Sequence, residues 1–180
     1  CVADASRIAY YCLQALPFVD VPIIYGWVER AARDSLCSCA PATVSALVHP
    51  LLEADRSGLI ALKPEQRAGM HVLLAHAAQD LDQKDEQIHQ LTEAFHEFEQ
   101  SGLADEAVRV ALTPAYEHFD TQHPDWWIRG HRGVALLRFR AERLVERGSG
   151  LHVRLLAQRG DRESLEQALQ LAEDLGDAEV

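Results

Sequence analysis

The stretch Met70–Phe98, MHVLLAHAAQDLDQKDEQIHQLTEAFHEF, decides how the rest of the chain is read. Its apolar residues Met70, Leu74, Ala77, Leu81, Ile88, Leu91, Phe95 and Phe98 recur at steps of three, four or seven. That is the 3.6-residue period of a helix with one buried stripe, not the two-residue alternation of a strand. Asp80 and Asp82 interrupt the pattern and divide it into two helices. Upstream, Pro64 fits the first helical position, where a missing N–H costs nothing. Downstream, Ser101-Gly102 is a stop signal.

The same reading extends to both ends. Val2–Leu16 is helical and ends at Pro17, and a second helix runs from Ile24 to Leu36. Ala42–His49 forms a short helix that runs into Pro50 and a further turn, and Ser57-Gly58 stops it. Leu59–Leu62 is short and apolar enough for a strand. Ala104–Phe119 is helical with Pro114 as a kink, and Asp125–Arg147 is helical up to Gly148. Leu151–Gln158 and Arg162–Leu175 complete the chain, with Asp161 as the cap of the last helix. The expected fold is mainly α, with at most a short β element near 59–63. It divides into a subdomain over 1–80 and a second over 81–180.

Two resemblances sharpen this picture. PATVSALVHPLLEADRSGLI, from Pro41 to Ile60, resembles the third helix and following turn of a winged helix. LTEAFHEFEQSGLADEAVRVALTPAYEHF, from Leu91 to Phe119, is similar to a tetratricopeptide unit, with Ala107, Ala111 and Ala115 after a glycine turn. LLAQRGDRESLEQALQLAEDLGD resembles the turn and second helix of another. Gly102 and Gly160 lie 58 residues apart, so any repeat departs from the regular 34-residue period. MHVLLAHAA resembles the helix that follows the winged helix in STAND-type signalling ATPases. The resemblance implies a winged-helix-like N-terminal part followed by packed antiparallel helix pairs. Its implied role is regulation or protein contact inside a larger signalling protein.

Composition limits the function classes. The 180 residues include 48% hydrophobic and 25% charged side chains, ordinary for a globular chain, and the formal net charge is −11. That charge disfavours nucleic acid, whose phosphates must be neutralised. Residues 41–54 carry no Lys or Arg, so a winged helix here is expected to pack on protein rather than read DNA. No apolar run is long enough to span a bilayer, and no membrane partner is expected. The first residues lack a basic flank leading into an apolar block, so no secretory signal is expected. The chain begins at Cys1 rather than Met, as a processed or excised piece of a longer protein would. The four cysteines, including the Cys37-x-Cys39 pair, are read as reduced thiols of a cytoplasmic protein. The chain has no GxxxxGK[ST] phosphate loop and no GxSxG elbow, and no cofactor is expected.

Two groups of side chains carry chemical interest. Glu86, His89, Glu93 and His96 form one helical stripe with the Glu-x-x-His spacing of di-iron carboxylate bundles. The stripe stands about 200° from the apolar row, at roughly 100° per residue, so a solvated face is the expected reading. A metal would require a second layer, with the Glu117–His123 segment as donor. His71 and His76 are five apart, off the four-residue step that sets ligands side by side. The second group is cationic. On a continuous helix Arg132, Arg140, Arg143 and Arg147 fall within about 60° of the direction of Arg129, with Trp126 and Trp127 at the start. Between Asp80 and Glu106 stand nine carboxylates against one lysine, so pairing within the fold is the expected role of these arginines. The alternative is an anionic ligand or acidic peptide held by Arg129, Arg132, Arg140 and Arg143, with Trp126 or Trp127 as a stacking surface.

The expected function is thus a non-catalytic helical module with a protein partner. The alternative is a small α-helical enzyme of small-molecule metabolism, with a Glu/His metal site or an arginine-held anionic substrate.

Overall fold

The computed structural model describes residues 2–113, 124–159 and 161–176, with side-chain surroundings over 4–113, 132–159 and 161–176. The chain is mainly α, and among the described residues there are nine helices and no strand. None of these helices is long and apolar enough to cross a membrane. The chain separates into two compact units, Cys1–Glu97 and Phe98–Val180. The turn at 81–83, expected to part the two subdomains, therefore lies inside the first unit.

The first unit contains α1 (Val2–Gln14), α2 (Val21–Cys37), α3 (Pro41–Arg56), α4 (Pro64–Asp80) and most of α5 (Lys84–Gln100). Proline at the first or second position opens α2, α3 and α4, where its locked φ is already helical. Helices α1 to α4 each pack on the next, and α1 also meets α3 as α2 meets α4. The shared core is built from Ala9 and Leu13 of α1, Ile24 and Val28 of α2, Val44, Val48 and Leu51 of α3, and Met70 of α4. Each large side chain withdrawn from water in this way contributes about 1.5–3 kcal/mol.

Two local expectations are corrected here. Helix α3 does not break at Pro50 but continues to Arg56. Proline removes one backbone hydrogen bond, while Leu47, Val48, Leu51, Leu52 and Ala54 bury the face on both sides of it. Residues 59–63 are not a strand. Their polar backbone groups are used locally: the Leu59 and Ile60 amides donate to Ala54 O, and the Leu62 amide donates to Asp55 Oδ1 at 2.7 Å. With those donors committed, no ladder forms.

Helices α4 and α5 make an antiparallel hairpin, tied by side-chain hydrogen bonds from Arg67 to Glu97, His71 to Gln90 and Gln87 to Gln79. Asp82 turns the chain at φ 55. The periodic stripe is buried at Met70, Leu74, Ala77, Leu91, Phe95 and Phe98. Leu81 is exposed because it caps the C-terminus of α4.

The second unit contains α6 (Ala104–Ala111), α7 (Pro124–Ala141), α8 (Gly150–Arg159) and α9 (Arg162–Asp174). Gly102 enters it at φ 72, a left-handed conformation that glycine adopts without strain. Helix α7 ends at Ala141, not at Arg147 as the arginine spacing suggested. The Arg143 and Leu144 amides switch to three-residue bonds on Arg140 O and Ala141 O, and Val145 turns inward to be buried. Helices α8 and α9 pair through Val153, Leu156 and Ala168. Asp161 caps α9 as expected, its Oδ1 accepting from the Ser164 amide at 2.9 Å. The Pro114 kink and the Glu117–His123 donors lie outside the described residues.

Candidate functional site

An open cleft of about 870 Å³ lies among α3, α4 and α5 of the first unit. Its floor is set by the antiparallel α4–α5 hairpin, which aligns the polar positions of α5 with those of α4. Glu86, His89 and Glu93 line it, one helical turn apart along α5. The stripe that spacing placed on a solvated face lines this open cleft, with α3 and α4 opposite, and His89 is exposed there. His96, the fourth member of that stripe, is exposed and does not line the cleft.

A hydrogen-bonded polar chain in the cleft runs through Gln90, which is only 5% exposed. Its Oε1 lies 2.6 Å from His71 Nδ1, and its Nε2 donates to Glu86 Oε1 at 2.7 Å. A carboxamide oxygen only accepts, so His71 Nδ1 must carry the proton. Neutral His71 therefore presents Nε2 as its basic nitrogen. The buried amide couples the imidazole on α4 to a carboxylate on α5.

Arg67 closes one end of the cleft. Its Nε and Nη2 donate to Glu97 Oε1 and Oε2 at 3.0 and 2.9 Å, a two-pronged pairing, while Nη1 donates to Leu62 O at 2.9 Å. Asp55 Oδ2 stands 3.5 Å from the same Nη1. The hydrogen bond to Glu97 raises the Arg67 pKa above the ordinary guanidinium value, against the opposing effect of burial, and Asp55 adds to the rise. Arg67 thus joins α3, the loop before α4, and α5. The other cleft cation, Arg56, pairs with Glu53 at 2.9 Å. Among the described residues Glu93 makes no hydrogen bond or ion pair.

The lining contains no Ser, Thr, Cys, Lys or Tyr side chain to act as a nucleophile. Among the described residues no group of three or more His, Cys, Asp or Glu side chains is arranged to hold a metal ion. His76 does not share the cleft with His71. Burial lowers its pKa below the ordinary imidazole value, Asp80 works in the opposite direction and Arg33 adds to the lowering.

The arginine series is divided by the end of α7. Arg140 pairs with Glu99, so a carboxylate from the acidic segment meets the basic one within the second unit. Arg143, past the helix end, lines a small hollow of about 350 Å³ with Arg140, Glu99 and Leu144. Arg132 is exposed on α7 and forms no ion pair among the described residues, and Arg147 is exposed beyond the turn. The side chains of Trp126, Trp127 and Arg129 lie outside the described residues.

Sequence reasoning missed Gln87 and Gln90, which are buried on α5. Their signal was present: Gln87 sits one turn before Leu91 and Gln90 one turn before Ala94, both on the inward arc. It also missed Arg67, whose partners lie 5 and 30 residues away. The thiols of Cys12, Cys37 and Cys39 are free, the latter two exposed at the α2–α3 turn. Compared with known protein families, with curated proteins and with solved structures, the chain matches none.

Proposed function

We propose that this chain is a non-catalytic helical module for protein–protein contact or regulation, of winged-helix-like and tetratricopeptide-like build, in a larger cytoplasmic signalling protein. The succession of helices, each packed on its neighbour and the next but one in the first unit, supports a repeat-like stack. The free thiols are in keeping with a reducing compartment. The observation that carries the reading is the uncovered aromatic surface at α1 and the turn after it. Tyr10, Tyr11 and Phe18 are 55%, 61% and 91% exposed. The Tyr10 and Tyr11 rings meet edge to face with centroids 6.0 Å apart, and exposed large apolar side chains in contact with one another mark contact surfaces on globular proteins.

The test is a Tyr11→Ser/Phe18→Ser variant. Both side chains are in solvent, so melting should be unchanged. In extracts of the source cells the wild-type chain should elute in a complex, and the variant should elute free. Identical elution of the two as lone chains sinks the reading.

A second reading, a small-molecule enzyme, is favoured by the His71–Gln90–Glu86 chain beside the cleft. It requires a small molecule that raises the melting temperature of the wild-type chain and not of His71→Ala.

A further inference from the structure

Helix α9 seats one face on α8 and leaves a second apolar row bare. Ser164 and Ala168 are buried, and Leu171 and Ala172 are partly buried. Leu165 and Leu169, one turn apart, are 46% and 63% exposed. At about 100° per residue the two leucines stand within about 40° of each other, directly beside the buried face. They extend the apolar side of the helix past its contact with α8.

The polar edge next to this row is acidic. Glu166 and Glu173 lie within about 60° of Leu169, on the side away from Ala168. Over its length α9 carries Glu163, Glu166, Glu173 and Asp174 against the single Arg162, which pairs with Glu166 at 2.7 Å. The last turn holds two carboxylates and no basic residue, where the partial negative charge of the helix end disfavours acids. A cation at that end would relieve an electrostatic conflict built into the helix.

We propose that the Leu165–Leu169 row of α9 docks a basic amphipathic helix of a partner protein. This deepens, and rests on, the reading of the chain as an interaction module. The charge decides the occupant. A second copy docking through the same α9 face would set carboxylate against carboxylate. An anionic membrane surface would repel the same edge. A helix with leucines at i, i+3 and i+4 and lysines along its flanks meets both the apolar row and the acids.

The probe is a synthetic amphipathic peptide of leucines and lysines, with a counterpart in which every lysine is glutamate. Calorimetry on the whole chain should show binding of the lysine peptide and none of the glutamate peptide. Leu165→Ser/Leu169→Ser should weaken binding by about tenfold or more, with helicity by circular dichroism retained. Glu166→Lys/Glu173→Lys, confined to solvent, should weaken the lysine peptide and admit the glutamate one. Binding of both peptides, of neither, or undiminished binding to both α9 variants overturns the proposal. If binding survives the α9 changes but is lost in Tyr11→Ser/Phe18→Ser, the α9 assignment falls while the interaction-module reading stands.

Discussion

Arg67 and Glu97 meet through two parallel hydrogen bonds of 3.0 and 2.9 Å, thirty residues apart in the chain. The pair sits at the far end of the α4–α5 hairpin from its turn, and Arg67 also holds the loop carbonyl of Leu62. Their side chains are 29% and 20% exposed, so water screens the pairing only in part. Arg67→Leu is expected to lower the stability of the first unit by about 2 kcal/mol, because Glu97 keeps its charge without a partner. Arg67→Lys should cost less, retaining the charge but not the fork. Arg67→Leu/Glu97→Leu should recover part of the loss. Urea unfolding midpoints of the three variants check the order.

The His71–Gln90 contact makes a prediction about a single proton. In its neutral form His71 should be protonated at Nδ1, because Gln90 Oε1 can only accept and Gln90 Nε2 is committed to Glu86. Nitrogen-15 chemical shifts of the ring report the tautomer directly. Gln90→Leu should release the preference while leaving α5 helical. A wild-type ring protonated at Nε2 would contradict the hydrogen-bond chain.

Tyr25 should resist ionisation. Burial chiefly, with repulsion from Glu29 and a smaller one from Glu65 against the pull of Arg33, pushes its phenol up to about 12. A raised folded pKa means that its stabilising contribution is complete below about 10, the unfolded value. That contribution is lost as pH rises through 12. Ultraviolet titration should show one tyrosine ionising near 12, a step that vanishes in Tyr25→Phe.

Asp161 gives the opposite pH dependence. The Ser164 amide, and then the Ser164 hydroxyl, hold its carboxyl below the ordinary aspartate value. A lowered folded pKa means the cap is fully effective above the unfolded value and is lost as pH falls through the folded one. Backbone NMR shifts of α9 should therefore move toward coil in acid. Asp161→Asn should retain a cap with little of that pH dependence, and Asp161→Ala should fray the first turn at every pH.

Among these features, some were written locally and others were not. The Met70–Phe98 stripe, Pro64 at the opening of α4 and the Asp161 cap depend on residues within a turn or two. Their helix positions followed from spacing and backbone chemistry. The run through Pro50 and the stop at Ala141 went the other way. In each, burial of neighbouring apolar side chains outweighed a local rule that spacing alone expresses. The Glu86–His89–Glu93 row was legible as a row, but its surroundings were not, since α3 and α4 reach it through a long detour of chain.

The sequence by itself determined that this protein is helical, acidic and stabilised by apolar stripes, because periodicity and composition act over short distances. Only the tertiary structure decided that Arg67 clasps Glu97, that Gln90 fixes the His71 proton, and that α9 keeps Leu165 and Leu169 in solvent. Those outcomes depend on which helix lies against which. That choice is made by the summed burial of the whole core and leaves no mark at any single position.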